Sequence, residues 1–179
     1  MMNKPILICG CFCLLAGFPA VSHSEQDDQG ILSLARDVIQ RVQYAALITV
    51  DSKGQPRSRI VDAFIPDDSF VVHVATRPNT RKVAQIRQHD AVTLFYFDPQ
   101  DKNYVSIMGK AELIEDDQSK RSLRREADNP RLYPNFPDDY LLIRITPIWL
   151  EGLLPGYRGN RENWQPVKVM LSDPATLAR

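Results

Sequence analysis

The feature that most constrains this chain is a succession of short apolar runs separated by tight polar turns. The run at residues 44–50 is followed by a turn at 51–54 that ends in glycine, and a second turn at 66–68 precedes the run at 69–76. These runs are rich in β-branched and aromatic residues, which favour strands. The pattern therefore predicts a mainly β protein whose strands follow one another through tight turns.

Extending this pattern along all 179 residues predicts six to seven strands and three helices. A doubly wound α/β sheet needs helices between most of its strands, and the sequence lacks them. We therefore predict a closed or partly closed antiparallel β-barrel with peripheral helices. The predicted strands are residues 44–50, 55–65, 69–76, 91–97, 104–114, 140–153 and 165–171, and the predicted helices are residues 31–43, 79–89 and 116–127.

The N-terminus is typical of a secretory signal peptide. Lys4 gives it a positive start, residues 5–18 form an apolar stretch, and small residues follow. This apolar stretch is too short to span a bilayer comfortably. We predict cleavage near Ser22 to Ser24, export to the periplasm or beyond, and no stable membrane insertion afterwards. A buried N-terminal helix is the alternative interpretation.

Cleavage at this point leaves a chain with one domain. Residues 1–24 are the predicted signal peptide, 25–30 a flexible polar tether, 31–171 the barrel domain and 172–179 a C-terminal tail. Roughly 155 residues are enough to bury an independent core. All three cysteines lie in the signal peptide, so we expect the mature protein to have no disulfide, thiolate metal site or cysteine nucleophile.

The overall charge argues against one broad class of function. The chain has 22 basic and 22 acidic residues and a formal net charge of zero. A general nucleic-acid or polyanion binder usually has a strong basic excess. We therefore expect no nucleic-acid partner, although a local basic patch is compatible with this balance.

One such patch lies where the third strand meets the second helix. Thr80, Arg81 and Lys82 occupy the predicted helix start, where free N–H groups and the positive end of the helix dipole favour an anion. Cationic side chains at this end destabilise the helix, and a bound phosphate is the simplest way to compensate their charge. The residues alone also allow a solvated helix start whose charges pair with nearby carboxylates.

A second cationic group lies on the predicted strand 55–65. Arg57 and Arg59 alternate with other residues, so both point to one face, which is either part of the same patch or a solvated surface. His73 and His89 are isolated and lack the spacing of a metal site, so we expect no metal.

Five segments occur in an order that is found in a known family. They are AALITVDSKGQPRSRIV, FVVHVATRPNTRKVAQI, VTLFYFD, YVSIMGKAELIED and LLIRITPIWLEGL. Their order and spacing resemble the pyridoxamine 5'-phosphate oxidase-like family, the FMN-binding split β-barrel, including its general-stress-protein branch. The resemblance extends over residues 31–171, nearly the whole mature chain.

This resemblance implies an FMN site at a homodimer interface. A Ser-Arg-Lys triplet binds the FMN phosphate in the family, and Thr80, Arg81 and Lys82 match it here. Aromatic or basic groups arrive from the second subunit, and the candidates for them are Trp149, Trp164 and Arg158. The residues implied in cofactor binding are Arg59, Ile60, Val61, Ala75, Thr76, Thr80, Arg81, Lys82, Tyr104 and Ser106.

Two departures from the oxidase itself bear on the substrate. Phe64 stands where the oxidase has a lysine, and the oxidase's C-terminal Arg-x-His motif is missing. We therefore expect a flavin-dependent oxidoreductase that acts on another small substrate. A non-catalytic module that binds flavin or haem is the alternative, with His73 or His89 as the haem ligand. A deazaflavin is a further alternative to FMN.

Overall fold

The computed structural model describes residues 23–172, which form seven strands and three helices. Helix α1 (His23–Val42) precedes a hairpin of β1 (Tyr44–Val50) and β2 (Pro56–Asp62), after which comes β3 (Val72–Thr76). Helix α2 (Arg81–Gln88) leads into a second hairpin of β4 (Ala91–Asp98) and β5 (Asn103–Ile114). Helix α3 (Asp117–Leu123) is followed by the long strand β6 (Leu141–Leu153) and by β7 (Val167–Met170).

The strands form one antiparallel sheet that curls into a partly closed barrel. Its hydrogen-bonded path runs β2-β1-β4-β5-β6-β3, and β7 pairs with the second half of β6. The two ends of the path meet through a bridge between Ala63 and Val74, where the Phe64 N–H donates to the His73 carbonyl oxygen at 2.8 Å. The predicted mainly β barrel with peripheral helices is therefore confirmed.

A bulge between β5 and β6 bends the barrel wall. The register shifts between Met108 and Gly109, opposite Pro147 of β6. The Thr146 carbonyl oxygen occupies the space that a Cβ at Gly109 would need, so only glycine permits this close approach. The bulge and Pro147 therefore bend the paired strands at the same level of the wall.

The barrel interior is apolar and continues beneath α2. Leu47, Leu94 and Ile107 are fully buried there, and burial of each such side chain contributes roughly 1.5–3 kcal/mol. Val83 and Ile86 of α2 join the same cluster. This packing holds the start of α2 beside β1 and β2, which positions the cationic residues described below.

Helix α1 is longer than the sequence predicts. It begins at His23, so the segment 25–30, predicted as a flexible tether, is helical instead. The Tyr157 hydroxyl donates to Asp27 Oδ1 at 2.7 Å, and this contact joins residues 130 positions apart. The polar sequence of the segment does not reveal such a tertiary contact.

Helix α3 is shorter than predicted and ends at Leu123 rather than at residue 127. Arg124 adopts an extended conformation, and the next residue turns towards Asp128, which accepts the Arg125 N–H at 3.2 Å. The predicted signal peptide lies outside the described residues except for positions 23 and 24, as does the tail after residue 172. No helix in the described part combines the length and the apolar character needed to cross a bilayer.

Candidate anion-binding site

The start of helix α2 has no capping partner of its own. Thr80 occupies the N-cap position, but its hydroxyl does not cap the helix and lies 3.4 Å from the Thr76 hydroxyl. The first turn contains no acidic residue, and its first two positions are Arg81 and Lys82. The positive end of the helix dipole and two cationic side chains therefore coincide.

Arg59 reaches the same place from β2. Its Nη1 donates to the Leu47 carbonyl oxygen at 3.1 Å and to Thr49 Oγ1 at 2.7 Å, and its Nη2 donates to Gln85 Oε1 at 2.8 Å. The Thr49 hydroxyl donates to the same Gln85 oxygen at 2.6 Å. These three partners fix the orientation of the guanidinium, but each of them is neutral.

The three cations of this cluster have no carboxylate partner among the residues that the structure describes. Arg59, Arg81 and Lys82 form no salt bridge within 4.0 Å, whereas the neighbouring Arg57 pairs with Asp51 at 2.7 Å. Burial lowers the pKa of Arg59, and the charge of Arg81 lowers it further. Burial likewise lowers the pKa of Lys82, with Arg59 adding to the effect. The arrangement is electrostatically unfavourable unless an anion joins it.

These side chains line a cleft of about 480 Å³, which we call the cationic cleft. A second cleft of about 340 Å³, the adjoining cleft, shares Thr80 and Lys82 with it. The cationic cleft is lined by Arg57, Ser58, Arg59, Thr80, Arg81, Lys82 and Gln85. The adjoining cleft is lined by Ile60, Val61, Asp62, Ala75, Thr76, Arg77, Thr80, Lys82, Arg125, Ala127, Asp128, Asn129, Leu132 and Tyr133.

An ion-pair network builds the outer wall of the adjoining cleft. Arg125 donates to both Asp62 oxygens at 3.0 and 3.2 Å and to Asp128 Oδ1 at 2.9 Å, and its guanidinium lies 4.0 Å from the centre of the Phe64 ring. The buried Tyr140 hydroxyl donates to Asp128 at 2.8 Å. Burial lowers the pKa of Arg125, but the hydrogen bonds to Asp62 and Asp128 outweigh it, so the pKa is raised overall.

Most of the residues that the sequence predicts for a cofactor site meet in these two clefts. Arg59, Thr80, Arg81 and Lys82 line the cationic cleft, and Ile60, Val61, Ala75 and Thr76 line the adjoining one. Tyr104 and Ser106 line neither cleft: they alternate with the core residues of β5 and point away from the barrel core, where Tyr104 is half-buried and Ser106 is buried.

Among the residues that sequence reasoning did not identify are Gln85 and Arg125, which line the clefts, and Thr49, which holds Arg59 in place. Thr49 looks like any β-branched strand residue, and Arg125 looks like part of a polar helix. Gln85 alone carried a usable signal, because it follows Arg81 by four residues and therefore lies on the same helix face.

Neither His73 nor His89 lines either cleft. His73 is half-buried on β3, with its ring 6.0 Å from that of Phe64, and His89 is the exposed C-cap of α2. Burial lowers the pKa of His73, and Arg144 lowers it further. Within the described residues, no group of three or more His, Cys, Asp or Glu side chains is placed to hold a metal ion.

Comparison with known proteins gives the same fold and names a family. The solved structure of a protein related to general stress protein 26, from Clostridium acetobutylicum, has a TM-score of 0.67 at 16% identity and covers 80% of this chain and 96% of its own. General stress protein 26 from Bacillus anthracis has a TM-score of 0.56 at 25% identity, with 68% and 92% covered.

A third similar structure is that of a pyridoxamine 5'-phosphate oxidase-related, FMN-binding protein from Nostoc punctiforme. Its TM-score is 0.52 at 15% identity, with 86% of this chain and 99% of the other covered. No curated protein sequence matches the chain. The family model described as Pyridoxamine 5'-phosphate oxidase matches residues 32–152, more than half of the sequence. The chain therefore belongs to the pyridoxamine 5'-phosphate oxidase family.

Proposed function

We propose that the protein binds FMN and uses it to oxidise or reduce a small molecule. The observation that carries this proposal is the cluster of Arg59, Arg81 and Lys82, which share one cleft without a carboxylate among the described residues. A phosphate group supplies the missing negative charge. The adjoining cleft then receives the ring system of the same molecule.

The phosphate end has donors of two kinds. Arg59 is held in place by Thr49 and Gln85, and its remaining N–H groups are available to a ligand. Arg81 has a planar guanidinium that binds two oxygens at once, and Lys82 has a compact ammonium charge. The start of α2 adds its uncapped N–H groups. Together these groups bind a doubly charged oxyanion better than a neutral group of the same size.

The ring end has the character of a binding site for a flat molecule. Val61 and Thr76 form a buried floor, Ala75 leaves space beside them, and Tyr133 adds an aromatic wall. The Arg125 network keeps this aromatic wall in place. The Arg77 Nε donates to the Leu132 carbonyl oxygen at 2.8 Å and so fixes the loop that contains Leu132. When bound, a flavin supplies hydride or electron transfer, and these residues orient it and exclude water.

A second copy of the chain is part of the proposal. Tyr104 and Ser106 point away from the barrel core and line neither cleft of their own subunit, so we assign them to the cofactor site of a partner subunit; Tyr104 is half-buried and Ser106 buried in the single chain. The same face carries the exposed apolar side chains of Tyr44, Phe97 and Met170, an arrangement that favours burial against another protein surface. The homodimer therefore brings the outer face of one sheet over the clefts of the other subunit.

The Phe97→Lys variant tests this arrangement. We expect the variant to sediment as a monomer and to lose FMN affinity, although Phe97 lines neither cleft. Ile65→Lys is the matched control, because Ile65 is at least as exposed but lies in the connection after β2. A wild-type protein that is monomeric at all concentrations and still binds FMN would contradict the dimer.

We also propose that the mature protein is exported after removal of the signal peptide. The support is the charge and hydropathy pattern of residues 1–24. Fractionation of the expressing cells, together with N-terminal sequencing, tests this point. A cytoplasmic protein that retains Met1 would contradict it.

The visible absorption spectrum of the purified protein, before and after addition of FMN, tests the function itself. We expect a flavin spectrum with one FMN per subunit, followed by bleaching with a reduced nicotinamide donor. Retention of FMN without any electron transfer would support the non-catalytic flavin module instead. A haem spectrum that disappears in His73 or His89 variants would contradict the FMN proposal, as would a preference for a deazaflavin.

A further inference from the structure

The barrel closes on itself at a short seam beside the adjoining cleft. Ala63, which follows β2, forms a bridge with Val74 of β3. Across this seam the Phe64 N–H donates to the His73 carbonyl oxygen at 2.8 Å. The residues next to the bridge, at position 62 on one side and position 75 on the other, line the adjoining cleft. Opening of the seam therefore widens the adjoining cleft.

The side chain of His73 lies beside a cation on the outer side of this seam. It points away from the barrel core and is half-buried. His73 is the register partner of Arg144 on β6, and Arg144 donates to Glu112 of β5 at 3.0 Å. Register partners on one face of an antiparallel pair have Cβ atoms about 4.5–5.5 Å apart, and like charges at such positions are destabilising. A proton on His73 therefore brings a second positive charge next to Arg144.

The charged groups that act on His73 come from three elements. Arg144 belongs to β6, Glu112 to β5 and Asp67 to the turn before β3. Both carboxylates favour the protonated imidazole, but burial and the charge of Arg144 outweigh them, so the pKa of His73 is lowered. A histidine whose pKa is lower in the folded than in the unfolded chain stabilises the fold above about pH 6.5, and this stability is lost as the pH falls.

Phe64 connects His73 to the wall of the adjoining cleft. The His73 and Phe64 rings have their centres 6.0 Å apart, and the Arg125 guanidinium lies 4.0 Å from the centre of the same Phe64 ring. Arg125 in turn pairs with Asp62 and Asp128 in that wall. Protonation of His73 therefore acts on two features at once, the backbone hydrogen bond across the seam and the ring on which Arg125 rests.

We propose that His73 is a pH-sensitive lock on the seam, and that its protonation opens the seam and loosens the wall of the adjoining cleft. The neutral imidazole permits closure, whereas the charged imidazole is repelled by Arg144. Release of a bound molecule from the adjoining cleft in acidic surroundings is the consequence. That this molecule is FMN rests on the proposed function, whereas the lock itself does not.

Amide hydrogen exchange of Phe64, followed by NMR between about pH 5 and pH 8, tests the lock on the ligand-free protein, so the outcome does not depend on whether FMN binds. Protection factors remove the direct effect of pH on the exchange chemistry. We expect protection of the Phe64 N–H to fall below about pH 6.5, by at most about tenfold per pH unit, since one proton is taken up. The Ala111 N–H, which donates to the Asp90 carbonyl oxygen at 2.7 Å, is the internal reference and should keep its protection.

The variant His73→Gln keeps a polar side chain without the titrating group, and its Phe64 protection should be independent of pH. His89→Gln is the matched control, because His89 is the exposed C-cap of α2, and it should behave like the wild type. If His73→Gln does not fold, Arg144→Gln keeps the histidine and should reduce the loss of protection, since the repulsion is removed. Protection of Phe64 that does not change with pH would overturn the proposal, as would an equal fall in His73→Gln or a parallel fall at Ala111.

Discussion

The cationic cleft and the wall of the adjoining cleft use arginine in opposite ways. Arg125 is neutralised from within the protein by Asp62 and Asp128, and its pKa is raised by these contacts. Arg59 is hydrogen-bonded only to neutral groups, and its pKa is lowered by burial and by Arg81. An arginine with its own carboxylates supports the fold, whereas an arginine left uncompensated among other cations indicates a ligand.

The largest expected effect comes from removing the two helix-start cations. Arg81→Ala with Lys82→Ala should weaken FMN binding by about 3–6 kcal/mol, which is 100-fold or more, since each charge-assisted contact contributes about 1.5–3 kcal/mol. Calorimetric titration of FMN measures the change. Arg87→Ala is the control on the same helix, because Arg87 already pairs with Glu115. Unchanged FMN affinity in the double variant would contradict the proposal that the cationic cleft binds the FMN phosphate.

Next in size is the loss of stability on removal of Arg125. Arg125→Ala leaves Asp128, whose side chain is 2% exposed, without its cation, and this should lower the free energy of unfolding by about 3 kcal/mol. Arg59→Ala should lower it by less in the absence of ligand, because the three hydrogen bonds lost go to neutral partners and the repulsion from the neighbouring cations Arg81 and Lys82 is relieved. Urea unfolding of both variants makes the comparison. Equal losses of stability would break the distinction between the two arginines.

A smaller effect on FMN binding is expected when Arg59 is given a carboxylate partner of the kind that Arg125 has. Gln85→Glu places a carboxylate within hydrogen-bond distance of Arg59, which gives Arg59 the kind of partner that Arg125 already has. We expect FMN affinity to fall by about tenfold and the ligand-free protein to gain stability, since the new charge offsets the cations. Gln85→Ala is the control, because it removes the hydrogen bond that helps to position Arg59 without adding a negative charge. An increase in FMN affinity in Gln85→Glu would contradict the electrostatic account.

The smallest effect is a pH dependence caused by Lys82. Its lowered pKa means that it begins to lose its proton below the usual lysine range. An anion binds the charged form, so binding must take up a proton once Lys82 is neutral, and affinity falls as pH rises. The decline cannot exceed about tenfold per pH unit for one group. Sulfate titrations above pH 8 measure it, and Lys82→Arg should flatten the profile. An unaltered profile in that variant would assign the dependence to another group.

The sequence predicted the barrel well, because its strands carry their own signals. Alternating apolar residues and glycine-ended turns such as 51–54 are local features, and they locate β1 and β2 without tertiary information. The start of α1 was missed because residues 25–30 are polar and lack the apolar periodicity that marks the rest of the helix; the hydrogen bond from Tyr157 to Asp27 joins distant parts of the chain and is not visible in the sequence. Local pattern therefore predicts the elements better than it predicts where they begin.

The site was predictable to the extent that it follows one motif. Thr80, Arg81 and Lys82 break the usual charge preference of a helix start, and this exception is visible in the sequence. Arg125 was not predictable, because its role depends on a loop that folds back onto Asp62, 63 positions away. The side chains that hold a site in place come from whatever elements the fold brings near.

The most direct test of the account compares FMN with riboflavin, which differs only in lacking the phosphate. Calorimetric titrations of the wild-type protein at constant pH and salt concentration give both affinities. The cluster of Arg59, Arg81 and Lys82 predicts that riboflavin binds at least about 100-fold more weakly than FMN and that only FMN affinity falls with added salt. Equal affinities for the two molecules would contradict the central claim that these cations bind a phosphate.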